Sequence, residues 1–524
     1  MGSPSVHDLT GALAADAELG SITSTSVQAR TSLGAIPAIA SRLARLGAEI
    51  QLVTASDNRG AARQFTLTYV FAPPGGAPIA TVLAGVPAAD PRFPSLATRS
   101  FAAGRFEREI RDLFGLTPVS HPDPRRLALH QFWPDDYHPL RRDAVPRTDF
   151  FDDGRPFPFR RVEGEGLLEI TVGPVHAGVI EPGHFRFSVE GETIVNLETR
   201  LGFVHKGVEK LFETLPFEKT WALAERISGD ESVAHAVAYC EALEALAGCT
   251  VPRRGAWLRL LLLELERLYN HVGDVGMIVN DTGFAFGHAH CFRIREELLR
   301  LNERLTGHRL LRGAVIPGGI ASHVPAAPLD HIAHRVTSLV REFLDIARLS
   351  LDNTMVLERL QGTGRLTTKT AREMQVVGLV GRASGLDADA RRDASTGAYR
   401  EIDLRVVSET AGDVWARTIV RIEEATESAR VIGIAAGRTG GGPTAAPLGP
   451  MRPGAHATSV VESWRGPVWY WVLADGDRSV ARVKPADPSF RNWPALEYAV
   501  LDNIVPDFPL CNKSFNLSYS GSDL

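Results

Sequence analysis

The chain has 524 residues, with 44% apolar and 23% charged residues and a formal net charge of -5. This is globular composition, long enough for about two or three domains, and it excludes a disordered or collagen-like chain. The slight acidity gives no footprint for nucleic acid or an anionic membrane surface.

No stretch reaches roughly 18 uncharged apolar residues, so no transmembrane helix is expected. Met1 to Thr10 has neither a basic region nor an apolar core, so it does not read as a secretory signal. The expected location is the cytoplasm. The four cysteines, Cys240, Cys249, Cys291 and Cys511, form no C-x-x-C pair and match no zinc or iron–sulfur spacing. Each reads as a small buried apolar residue.

In chain order, Ile36 to Leu46 has helical periodicity, and Gln64 to Phe71 is rich in β-branched and aromatic residues, as a strand would be. Phe106 to Phe114 returns to a charged helical pattern, and Arg141 to Pro158 reads as a linker. The first unit is thus a small α/β domain, residues 1–150.

A second unit, residues 151–524, begins with alternating Leu168, Ile170 and Val172, then Phe185, Phe187 and Val189, a hairpin or meander. From Phe203 the period becomes helical, and Leu258, Leu261, Leu262, Leu265 and Leu268 share one face. Further helices are expected over 290–306, 328–350 and 408–433, a loop over 436–456, and a late strand pair at Val468–Leu473 and Val480–Val483. The fold class is α+β, with a mainly helical second unit and a strand cap assembled from both its ends. Thr439 to Pro443 is glycine-rich but lies in a proline-bearing loop, and no G-x-G-x-x-G follows a strand, so no nicotinamide site is expected.

Two motif sets carry a resemblance. Glu107-Arg108-Glu109, Asp112, Phe114-Gly115, His121-Pro122-Asp123, Arg125-Arg126 and His138-Pro139-Leu140-Arg141 resemble the signature of the thirty-kilodalton peripheral-arm subunit of complex I. By physics alone that run is a solvated helix and an Arg-rich loop. Glu181-Pro182-Gly183-His184, His205-Lys206-Gly207-Val208-Glu209, Glu264-Leu265-Glu266-Arg267, Phe292-Arg293-Ile294-Arg295-Glu296 and Arg465-Gly466 resemble the large subunit of formate hydrogenlyase and its group-four nickel–iron hydrogenase relatives. The forty-nine-kilodalton subunit of complex I is a more distant likeness. The resemblance implies a docking domain fused to a hydrogenase large-subunit-like domain. The implied partners are integral membrane subunits, a small iron–sulfur subunit with a 4Fe-4S cluster, plus a ferredoxin-like subunit. Through them the chain would sit on the inner face of the membrane.

In that family two C-x-x-C pairs hold nickel and iron. The first belongs to R-x-C-G-x-C-x-x-x-H, where this chain keeps Arg226, Gly229 and His235 but has Ser228 and Glu231 at the cysteine positions. The second belongs to a C-terminal S-L-D-P-C-x-x-C-T-D-R, where this chain has Ser518 and Gly521. Serine and glycine cannot replace bridging thiolates, so nickel and hydrogen activation are expected to be absent. The chain alone is expected to hold no metal or cluster.

The resemblance assigns roles to several residues. His176 matches a histidine that contacts a quinone headgroup in complex I. By itself it is also a histidine held by a backbone partner. Arg465 matches an arginine lining the hydrogenase site. Glu209 matches a proton-shuttling glutamate. Glu231 and the adjacent Asp230 read either as proton carriers or as ion-pair partners of Arg226 or another arginine. Asp230, Glu231 and His235, one helical turn after Glu231, offer the donors of a non-nickel cation site. The expected function is a redox subunit that binds quinone or another acceptor. The alternative is a non-catalytic coupling subunit linking the peripheral arm to an ion-translocating membrane arm.

Overall fold

The computed structural model describes residues 3–177, 180–321 and 329–524. The N-terminal unit is a five-stranded sheet in the order Ala17–Ile22, Ser26–Thr31, Ile79–Pro87, Gln64–Ala72, Glu49–Asn58. Only Ser26–Thr31 and Ile79–Pro87 run parallel, and every other neighbouring pair is antiparallel. The expected helix and strand form as Ile36–Arg45 and Gln64–Ala72. The helix Phe101–Phe114 lies against Glu49–Asn58, capped at its start by Ser100 and ended by Gly115 in a left-handed conformation. The stretch 141–158 carries no helix or strand, as a linker should.

The second unit is built on the long helix Arg253–Asp281. Its leucines do not form a single stripe, because Leu260 and Leu263 are buried along with Leu258, Leu261 and Leu262. A helix buried all round is the centre of a bundle rather than its surface. Around it pack Ser232–Ala247, Ala285–Thr306, Leu329–Leu351 and Val414–Arg438. The last begins later than the periodicity implies because Asp413 caps it, accepting from the Ala416 N–H at 2.8 Å. Part of the expected helix start at 328 lies outside the described residues. Thr439 to Pro443 follows this helix directly, not a strand.

Strands come from both ends of the second unit, as expected, but they do not assemble into one cap. The strands from the two ends form separate sheets: Leu167–Val172, His184–Glu190 and Thr193–Arg200 make one meander, and His456–Glu462, Pro467–Gly476 and Ser479–Ala486 make another. Leu168 and Ile170 alternate but face outward, while Phe185, Phe187 and Val189 turn into a core with Trp493 and Phe508.

The C-terminal sheet is the seam of the molecule. Strand side chains alternate between faces. Trp469 and Trp471 therefore join the core of the N-terminal unit, while Val468, Tyr470 and Val472 join the helical core. This double burial explains the near-continuous apolar run Val468 to Leu473. The sheet also sets the site, because the turn Ser463–Gly466 and the residue Asp487 sit at its ends. Cys240, Cys291 and Cys511 are buried free thiols, and Cys249 is half-buried. Among the described residues no helix is long and apolar enough to cross a membrane.

Candidate functional site

The positions Ser228, Glu231, Ser518 and Gly521 converge. Ser228 Oγ donates to Ser518 Oγ at 2.8 Å, joining segments 290 residues apart. Ser518 also caps the last short helix, accepting from the Gly521 N–H at 2.9 Å. Gly521 faces Asp487, and a Cβ at position 521 would lie 2.6 Å from Asp487 Cγ. Asp487 thus fills the space a side chain at 521 would need.

Glu231 is fully buried and precedes the helix Ser232–Ala247. It accepts from Arg465 Nη1 at 2.9 Å and from the Ser463 hydroxyl. Arg465 also forms a two-pronged bond to Asp230 at 2.8 Å per prong, and its Nε donates to the Asn516 carbonyl at 2.5 Å. The ion-pair partner of Asp230 and Glu231 is therefore Arg465. Arg226 instead sits 3.9 Å from Glu225. Arg465 has little donor capacity left for an outside anion.

His235 does not pair with Glu231. Its Nε2 meets Asp487 Oδ2 at 3.1 Å and its Nδ1 meets the Tyr470 hydroxyl at 3.0 Å. Ligand atoms of Glu231, His235 and Asp487 lie within 4.8 Å of one another. The third donor near a cation would be Asp487 rather than Asp230. Two oxygens and one nitrogen suit zinc or iron, and are a poor match for nickel–iron bridged by thiolates. All three groups already have hydrogen-bond partners within the protein.

The carboxyls divide. Burial opposes the charge on Asp487, but His235 and Arg465 hold its pKa down at about 2. Burial likewise opposes charge on Asp230, and Arg465 keeps it below the ordinary value. Glu231 goes the other way: burial, then the charge of Asp487, pushes it well up despite Arg465. The cluster thus sets the Arg465 guanidinium beside two acids held toward their charged form, Asp230 and Asp487, and one pushed toward its neutral form, Glu231. A buried acid beside two fixed charges can store and release a proton.

A cavity of about 400 Å³ opens beside this cluster, lined by Glu181, Asp230, Asp274, Arg465, Ser518 and Tyr519 among others. His176 is not among its lining residues. Its Nε2 bonds the Gly183 carbonyl at 2.8 Å, and its ring packs near Phe185, which in turn packs near Tyr519. Glu209 is elsewhere, in the seam between units. It accepts from Lys484 at 2.9 Å and from Arg482, and Lys484 reaches Glu109 of the N-terminal unit at 2.7 Å. Lys484 and Arg482 hold Glu209 below the usual carboxylate range even though burial works against it.

Compared with known proteins, the chain is 33% identical over 483 residues to formate hydrogenlyase subunit 5 of Escherichia coli K12, covering 91% of this chain and 85% of that one. Hydrogenase-4 component G of the same organism is 33% identical over 89% of this chain and 82% of its own. This chain belongs to the formate hydrogenlyase and hydrogenase-4 large-subunit family. It joins two complex I-type regions. Residues 31–149 match the family described as respiratory-chain NADH dehydrogenase, 30 Kd subunit, and 281–452 match the 49 Kd subunit. An NADH-quinone oxidoreductase subunit of Bacteroides fragilis is 28% identical over 75% of this chain and 78% of its own.

Sequence reasoning missed Asp487, Ser463 and Tyr470. Asp487-Pro488-Ser489 carries a helix-start signal, and Asp487 Oδ1 does accept from the Ser489 N–H at 2.7 Å. Its other oxygen, which faces His235, has no local signature in the sequence.

Proposed function

We propose that this chain is the large peripheral-arm subunit of a membrane-associated, complex I-like oxidoreductase, and that it works without a nickel–iron centre. The observation that carries this reading is the Asp487 carboxylate packed against Gly521, with Ser228 bonded to Ser518. A thiolate at 521 would collide with that carboxylate, and the remaining donors are hydroxyl and carboxyl oxygens. In this reading the place of the metal has been taken by an internal network of charges.

The adjacent cavity then takes a small polar acceptor, with a quinone headgroup as the leading candidate. Reducing a quinone to hydroquinone consumes two electrons and two protons. The electrons must come from a partner, since this chain has no cysteine set for an iron–sulfur cluster. The protons can pass through the groups that line the cavity, with Asp230 at its edge and Glu231 as a buried reserve. The names of the relatives describe subunits and components, which supports assembly into a larger complex; iron–sulfur and membrane partners are part of the proposal.

One observation favours the coupling role as a second reading. Arg465 spends its donors on Asp230, Glu231 and Asn516, so it is not free to hold a headgroup. Purification of the intact complex tests both readings. Metal analysis is expected to find nickel far below one per chain, and a photoreactive quinone is expected to label 228–230 or 512–520. Stoichiometric nickel would overturn the central claim. Absence of labelling in an intact complex would favour the coupling role.

A further inference from the structure

A second cavity, of about 360 Å³, lies where the two units meet and shares no lining residue with the first. Its wall joins Arg105 and Arg108 of the helix Phe101–Phe114, Arg125 of the Arg-rich loop, Arg200 at a strand end, and Glu497 and Tyr498 of the helix Pro488–Ala499.

The charges here do not balance. Asp123 is shared by Arg125 at 2.8 Å and Arg108 at 3.3 Å, and Glu198 also serves Arg125. Glu497 accepts from the Thr199 N–H at 2.8 Å, and burial pushes its pKa up to about 7, so it offers only part of a charge near neutrality. Arg200 is 5% exposed and donates only to the carbonyls of Leu127 and Leu129, with no carboxylate partner among the described residues. Arg105 makes no hydrogen bond or ion pair among the described residues. Its Nε is buried without a partner, and its guanidinium lies over the Phe490 ring at 4.8 Å. Burial pushes both Arg105 and Arg200 down to about 10.

A guanidinium shut away from water without an anion is unfavourable. Arg382, Arg391 and Arg465 have carboxylate partners, whereas Arg417 and Arg491, like Arg200, are met by neutral oxygens, so the unmatched guanidinium here is that of Arg105. The volume suits a small molecule, and Phe157 and Tyr498 offer it aromatic surface. We propose that this cavity binds a small organic anion bearing phosphate or carboxylate, with Arg105 and Arg200 as its charge partners.

The test uses the full chain and two probes, pyrophosphate and citrate, against chloride at matched ionic strength. At millimolar concentration at least one probe is expected to raise Tm by about 2 °C or more. Arg105→Met is expected to raise Tm without any probe, because it removes an unpaired, partly buried charge, and to abolish the probe response. Arg105→Lys should keep part of that response. A pyrophosphate response would assign a phosphate ligand and a citrate response a carboxylate one. The proposal is overturned if neither probe exceeds chloride, or if Arg105→Met responds like the wild type. It is also overturned if the isolated chain responds and the intact complex does not, since a partner's carboxylate would then occupy the cavity.

Discussion

Asp487 and Gly521 form a complementary pair: the carboxylate of one occupies the side-chain space of the other, with 2.6 Å between Asp487 Cγ and a Cβ at 521. Adding even a methyl group at 521 must displace a carboxylate that is hydrogen-bonded to His235 and to the Ser489 N–H. Gly521→Ala is therefore expected to destabilise the fold by about 1–3 kcal/mol, as overpacking does. In an Asp487→Ala background that cost should largely vanish, giving a coupling of about 1 kcal/mol or more. Asp487→Asn, which keeps the shape, should leave it. Urea unfolding of the four corners of the cycle measures this. Additive changes would show that the two positions do not compete for space.

Arg465 pairs with fully buried Glu231 and with Asp230, whose side chain is 35% exposed. Arg465→Met should cost about 3–5 kcal/mol, because it strands carboxylates rather than simply deleting a contact. Adding Asp230→Asn should recover part of the loss, since Arg465 is what keeps Asp230 in its charged form. Equal stability of the single and double variants would argue against the pairing.

Lys484 links Glu109 of the N-terminal unit to Glu209 of the second unit. Lys484→Met leaves buried Glu109 without its partner beside Glu209, which keeps Arg482, and is expected to cost about 3–5 kcal/mol. The loss should be concentrated at the seam. Limited proteolysis is expected to cut faster between residues 141 and 158, and the released N-terminal unit should be detectable by mass. An unchanged cleavage rate would show that the seam is held by its apolar face alone.

Burial pushes Glu266 up to about 8 although it accepts from the Val233 and Ala234 N–H groups. The folded chain thus binds this proton more tightly than the unfolded chain, whose glutamate titrates near 4.5. The associated stability is fully present below about pH 4.5 and is lost as pH rises through about 8. Over that window the slope approaches about 1.4 kcal/mol per pH unit for one proton. Glu266→Gln should flatten the stability–pH profile by about one proton between pH 5.5 and 7.5, read from urea midpoints across the range. A slope unchanged from the wild type would place this proton elsewhere.

Several features were legible before any coordinates. The strand Gln64–Ala72, the helices Ile36–Arg45 and Ala285–Thr306, and the linker all follow from local periodicity and turn chemistry. The late strands were visible from their β-branched and aromatic run. Their place at the seam was not, because a run buried on both faces carries no alternation to read. Glu209 illustrates the limit at the site: its motif resembles a proton-shuttling segment, while its partners Arg482 and Lys484 lie more than 270 residues away in the sequence.

By itself the amino-acid sequence determined the family likeness, the two-unit order and the identity of Ser228, Glu231, Ser518 and Gly521, because these are facts of residue type and spacing. Only the tertiary structure decided what stands among those positions. Arg465 neutralises the acids, and Asp487 fills the space beside Gly521. Both arrive at the ends of strands of the C-terminal sheet, and inside this cluster burial makes an unpaired charge costly, which favours the meeting of partners from distant segments.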